Sequence, residues 1–89
     1  MKEGILWDPI KNEWLKKNRG ISFEKIRQVI ELEKYITIID NPARENQLLC
    51  ILELRGYTYV VPFIIGHDGN LILKTAYPSR KYHKIYTSL

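Results

Sequence analysis

The chain has 89 residues, 45% of them hydrophobic, and 14 Lys/Arg against 10 Asp/Glu give it a net charge of +4 and a pI near 9.3. That length predicts one domain, 1–89, with one modest core and no separate catalytic lobe, and the apolar content excludes a disordered tail. No apolar run approaches about 18 residues, the N-terminus carries no long apolar leader core, and Cys50 is the single cysteine, so no membrane span, export or intrachain disulfide is expected, and the expected location is cytoplasmic.

Gly4-Ile5-Leu6-Trp7 reads as a short first strand. Asp8 caps the helix that follows and Pro9 suits its first position. Ile10, Trp14 and Leu15 form an apolar stripe, Lys11, Lys16, Lys17 and Arg19 lie elsewhere around the helix, and Gly20 ends it. Trp7 and Trp14 are both expected in the core. Ser22 caps a second helix through Phe23, Ile26, Val29, Ile30 and Glu33, with Glu24 at the positive end of its dipole.

Tyr35–Ile39 is β-branched and aromatic, which predicts a strand. Asn41 to Gln47 reads as a polar loop. Leu48–Leu54 is almost continuously apolar, as for a strand covered on both faces. Arg55-Gly56 turns the chain into Tyr57–Ile65, where Pro62 implies a bulge or an edge. His67-Asp68-Gly69-Asn70 signals a hairpin into Leu71–Tyr77. Pro78-Ser79 then start a short helix with Tyr82, Ile85, Tyr86 and Leu89 along one stripe. The order β-α-α-β-β-β-β-α predicts an α+β domain, an antiparallel sheet packed against two N-terminal helices and one short C-terminal helix.

Charge is segregated. All ten acidic residues lie between Glu3 and Asp68, whereas Lys74, Arg80, Lys81 and Lys84 lie beyond, so the whole +4 resides in the segment 69–89. Tyr77, Tyr82 and His83 are interleaved with those bases. Arg and Lys neutralise phosphate and Tyr offers a flat face to a base, so the segment suits a polyanion such as RNA. A solvated basic surface is the plain alternative. Two histidines and one cysteine, far apart, form no metal-ligand spacing, and no cofactor is expected.

Three segments carry a family likeness. Trp7-Asp8-Pro9-x-Lys11-Asn12 resembles the "WDxxKN" opening of the BrnT toxins, Arg19-Gly20-Ile21-Ser22-Phe23-Glu24 resembles their "HGxSFEE", and Leu73–Lys81 resembles their last strand and "SxRxxxxxE" tail. The likeness spans nearly the whole chain. It departs where Arg19 replaces a His, where Tyr77 stands in place of an Arg, and where a basic and aromatic run through Lys84 replaces the final acid. The resemblance implies a RelE-like toxin of a type II toxin–antitoxin system. Such a toxin cuts RNA, is neutralised by a co-expressed antitoxin with a DNA-binding domain, and forms with it a hetero-oligomer that represses its own operon.

Cleavage without metal uses the substrate's 2′-OH to attack the adjacent phosphate, and needs cations for the phosphorane and groups that move protons. Arg80 is the expected phosphate cation because its planar fork holds two oxygens. His83, one turn on, is the expected acid or base. Tyr77 positions the hydroxyl or stacks a base. Lys11, Lys17, Arg19, Lys74, Lys81 and Lys84 are expected RNA-backbone contacts, although alternation along a strand points Lys74 away from Tyr77. The alternatives are a non-catalytic basic module that binds RNA or an acidic protein, and a toxin-derived corepressor subunit.

Overall fold

The structure is a computed structural model and describes residues 4–87. β1 (Ile5–Trp7) leads into α1 (Pro9–Arg19) and α2 (Phe23–Glu31). β2 (Thr37–Asp40), β3 (Leu48–Leu54), β4 (Tyr57–Ile65), β5 (Leu71–Leu73), the two-residue β6 (Tyr77–Pro78) and α3 (Arg80–Thr87) follow. The fold is α+β, as expected. Leu89, placed on the last apolar stripe, lies outside the described residues.

The entry to the helices is built from the residues that carry the family likeness. Asp8 Oδ1 accepts the N–H of Ile10 at 2.9 Å, and Ser22 Oγ accepts that of Lys25 at 3.2 Å. Gly20 ends α1 at φ 66°, a conformation that favours glycine, and a Cβ there would stand 2.6 Å from Arg55 Nη1. Asn12 is buried and joins the two helices: its Oδ1 accepts the N–H of Phe23 at 2.8 Å, and its Nδ2 donates to Glu24 Oε1 at 2.9 Å. The Trp7 and Phe23 rings pack with centroids 5.7 Å apart.

Those bonds also decide which side of α1 is buried, and it is not the Ile10–Trp14 stripe. Asn12 and Leu15 form the buried face of α1, while Ile10 is 79% exposed and Trp14 42% exposed. The two hydrogen bonds to the start of α2 pull Asn12 inward and turn the Ile10–Trp14 ridge to solvent. Lys11 Nζ lies 4.7 Å and the Arg19 guanidinium 4.8 Å from the Trp14 ring centre, so cations flank the indole.

The sheet runs β1-β5-β4-β3-β2, with β6 also on β4. Every pairing is antiparallel except the first: β1 lies parallel to β5, Ile5 opposite Leu71 and Trp7 opposite Leu73. The sheet is therefore mixed rather than purely antiparallel, because the long route through two helices and the hairpins returns the chain beside its first strand. Arg55 (φ 55°) and Gly56 (φ 80°) supply the two positive φ angles of a tight hairpin between β3 and β4.

Pro62 lies in an interior strand, not at an edge, with β3 on one side and the β5–β6 segment on the other. Its carbonyl accepts the N–H of Lys74 at 2.9 Å, so its missing N–H faces the same side. Pairing lapses there: Leu71–Leu73 and Tyr77–Pro78 pair with β4, and residues 74–76 between them belong to no strand. The single strand expected over Leu71–Tyr77 is thus two.

Both faces of the sheet are covered, as the apolar run of β3 implied. On one, α1 and α2 pack Leu15, Ile21, Phe23 and Ile26 against Cys50, Leu52, Val61 and Phe63. On the other, Tyr82 and Tyr86 of α3 pack on Leu49, Ile51 and Val60. Burial pushes the Cys50 thiol up to about 12, which makes it an inert core residue. No helix among the described residues is long and apolar enough to cross a membrane.

Candidate functional site

The second face carries the candidate residues of α3. Ser79 joins β6 to α3: its N–H donates to Thr58 O at 3.0 Å, and its Oγ accepts the N–H of Tyr82 at 3.2 Å. His83, one turn into α3, reaches back to β4. The Thr58 N–H donates to its Nδ1 at 3.3 Å, and Thr58 Oγ1 lies 3.0 Å from the same nitrogen. A backbone N–H can only donate, so Nδ1 is an acceptor and the neutral ring carries its hydrogen on Nε2. The ring stacks on Tyr57 with centroids 4.1 Å apart. His83 thus satisfies the buried Thr58 and anchors α3, with Nε2 as its remaining polar atom.

Alternation along β4 puts Thr58, Val60 and Pro62 on one face of the sheet. Tyr77 sits opposite Val60 and, like a cross-strand neighbour, shares that face. His83 at Thr58 and Tyr77 at Val60 are therefore adjacent positions along one strand. Arg80 begins α3, exposed, one helical turn before His83.

Beyond Tyr77 lies a groove of about 570 Å³, lined by Lys11, Asn41, Ala43, Arg44, Gln47, Pro62, Lys74, Thr75 and Tyr77. Three cations from three elements meet there and no carboxylate lines it. Lys74 and Tyr77 border the same space, contrary to strand alternation, because the backbone between them is not a strand. Arg19 stands at the same break, donating from Nη1 to the Ala76 carbonyl at 2.5 Å.

The expected residues therefore divide. Lys11, Lys74 and Tyr77 line the groove, with Arg19 bonded to the strand break beside it. Arg80, His83, Lys81 and Lys84 lie on α3, where Lys81 Nζ is 5.2 Å from the Tyr82 ring centre and Lys84 is exposed. Lys17 is exposed on α1 and lines neither region. Arg44 and Gln47 are additions: inside a polar loop, nothing in their spacing marks them, and only the folded loop brings them against Lys74.

The acidic residues are occupied elsewhere. Among the described residues the ion pairs are Lys16 with Glu13 at 3.3 Å and with Glu24 at 3.8 Å. The Asn12 amide, foremost, then the backbone N–H of Glu24 itself and the Lys16 and Arg27 charges hold the Glu24 carboxyl below the usual carboxylate range. Glu24 is thus part of the helix junction and stands apart from the basic face. No three His, Cys, Asp or Glu side chains among the described residues are placed to share a metal ion.

Comparison of the whole structure with solved ones finds the crystal structure of the ribonuclease toxin BrnT from Brucella abortus, at 19% sequence identity and a TM-score of 0.67, over 88% of this chain and 97% of that one. The fold is that of BrnT. A scan against protein-family models finds no match, and a sequence search of curated proteins finds none either. At this identity the agreement with BrnT is one of backbone. It gives a physical meaning to the motif residues: Trp7, Asp8, Asn12, Ser22 and Phe23 fasten the strand and two helices of a BrnT-type fold to one another.

Proposed function

We propose that the protein is a toxin of the RelE-like kind, an endoribonuclease that cuts RNA without a metal and is held inactive by a cognate antitoxin. One observation carries the reading: on a BrnT-type fold, α3 carries Arg80 and His83 one turn apart, His83 is tied to Thr58 two residues along β4 from the Val60 that pairs with Tyr77, and the groove beyond Tyr77 contributes three cations and no acid.

In this reading the RNA backbone lies across Tyr77 towards α3. Lys11, Lys74 and Arg44 draw in the phosphates on one side, and Lys81 and Lys84 on the other. The substrate's 2′-oxygen attacks phosphorus and gives its proton to water, while the P–O5′ bond breaks. Arg80 holds two non-bridging oxygens and stabilises the added charge of the phosphorane. His83 presents its Nε2–H side, so its role is that of hydrogen-bond donor to the leaving 5′-oxygen, which takes its proton from water, and Nδ1 stays on Thr58. Tyr77 orients the nucleotide. The products are a 2′,3′-cyclic phosphate and a 5′-hydroxyl.

An acidic, flexible antitoxin segment is the natural cover for such a face, since it neutralises the cations and orders as it docks. The sheet edges open to strand addition are those of β1 and β2, not the Pro62 region.

A second reading, a non-catalytic RNA-binding or corepressor subunit, draws on the structural duty of His83 towards Thr58. Purified protein freed of any partner, incubated with RNA in EDTA, separates the two: cleavage supports the nuclease, and retained RNA that dissociates steeply with salt supports the binder. Growth arrest on induction in bacteria gives the same division in cells.

A further inference from the structure

The loop between β2 and β3 holds an amide whose orientation is fixed by its neighbours. Asn41 Oδ1 accepts the N–H of Ala43 at 2.9 Å, and a backbone N–H can only donate, so the other end of the Asn41 amide is its NH₂. That Nδ2 donates to Gln47 Oε1 at 2.8 Å. The Gln47 carbonyl is thereby occupied, and its Nε2, with no partner among the described residues, is the end left to meet a ligand. The loop is closed at its mouth by Asn41 N–H donating to Gln47 O at 3.1 Å, so the amide rests on a braced support.

Gln47 lines the groove together with the cations Lys11, Arg44 and Lys74, the hydroxyl-bearing Thr75, and Tyr77 with its ring and hydroxyl. Asp40 and Glu45 line the neighbouring depression, whose wall shares Asn41, Arg44 and Gln47 with the groove. A ligand that fits is anionic at one end, flat in the middle, and rich in acceptors at its edge. We propose that the groove binds one nucleotide of the RNA next to the cleaved linkage, phosphate on the cations and base on Tyr77, and that Gln47 selects guanine. The two hydrogens of Nε2 match the adjacent acceptors O6 and N7 of guanine, whereas adenine places a donor, its N6 amine, beside N7. This inference rests on the ribonuclease reading and adds a sequence preference to it.

The test is titration of the intact chain with GMP, AMP, UMP, CMP and inorganic phosphate, followed by amide NMR shifts. GMP is expected to bind about tenfold tighter than AMP, the discrimination ordinary for one well-placed pair of base contacts, with shifts centred on Ala43, Gln47 and Thr75. Arg44→Ala weakens all four nucleotides together. Gln47→Leu brings GMP down to the level of AMP. Gln47→Glu keeps the acceptor for Asn41 and removes the donor, so it turns the preference towards AMP. Equal affinity for the four nucleotides, phosphate binding as tight as GMP, or shifts centred elsewhere would overturn the proposal. Nucleoside monophosphates contain no linkage to cut, so the titration reads the groove alone. A chain that prefers GMP yet leaves RNA intact would support the groove and refute the nuclease. A chain that cuts RNA but treats the four alike would refute the groove only.

Discussion

The α1–α2 junction and the α3 face handle polar groups in opposite ways. At the junction, Asp8, Asn12, Ser22, Glu24 and Lys16 all have partners, and both ion pairs among the described residues fall there. On the α3 face, Lys74, Arg80, Lys81 and Lys84 have no acidic partner among the described residues, and Arg80 and Lys84 are exposed. A closed network stabilises the fold. An unneutralised row of cations costs self-repulsion and is open to something negative that arrives. The motif residues nearest the N-terminus thus serve the scaffold, and the proposed chemistry falls to the other end.

If that division is correct, substitutions should separate cleanly into those that change activity and those that change stability. Arg80→Ala should lower RNA cleavage by roughly 100- to 1000-fold, as for loss of one group that stabilises transition-state charge, while the melting temperature stays within a degree or two of the parent. A drop in both would break the comparison. Asn12→Ala should do the reverse: it strands the buried Phe23 N–H and should cost about 1–3 kcal/mol in denaturant unfolding, with cleavage per folded molecule retained.

Smaller effects sharpen the same contrast. Lys74→Ala should weaken RNA binding at low salt and reduce the slope of log affinity against log salt by about 0.7, as for one lost phosphate contact on a single strand. Lys17→Ala, on α1 and away from the groove, should leave that slope nearer the parent value. Glu24 gives a pH signature. Its carboxyl is held down in the folded chain, so its contribution is present above the ordinary carboxylate range and is lost as pH falls through the lowered value. Acid unfolding should therefore be steeper for the parent than for Glu24→Gln, with the difference confined to acidic pH.

Much of the scaffold is legible in the amino-acid sequence. The caps at Asp8, Gly20 and Ser22, the Arg55-Gly56 turn and the two-sided burial of β3 are local features, set by residues within a few positions of one another. What the sequence hides depends on partners far along the chain. Trp14 belongs to an apolar stripe by spacing, and only the long-range bond from Asn12 to Phe23 shows which side of α1 turns inward. Strand alternation would point Lys74 away from Tyr77, a rule that lapses because Pro62 on the neighbouring strand has no N–H to offer. The parallel pairing of β1 with β5 joins positions more than 60 residues apart. Arg44 and Gln47 enter the groove only once the loop has closed on Asn41. His83 is legible as a titratable group beside Arg80, but its tie to buried Thr58 is not, and that tie limits which nitrogen can act.

The most direct measurement is the end chemistry of RNA treated with the partner-free protein in EDTA. Cut fragments bearing 2′,3′-cyclic phosphate and 5′-hydroxyl ends are expected, and no cut where the attacking ribose is 2′-deoxy. Intact RNA from protein shown to be folded, or fragments with 3′-hydroxyl ends, would contradict it.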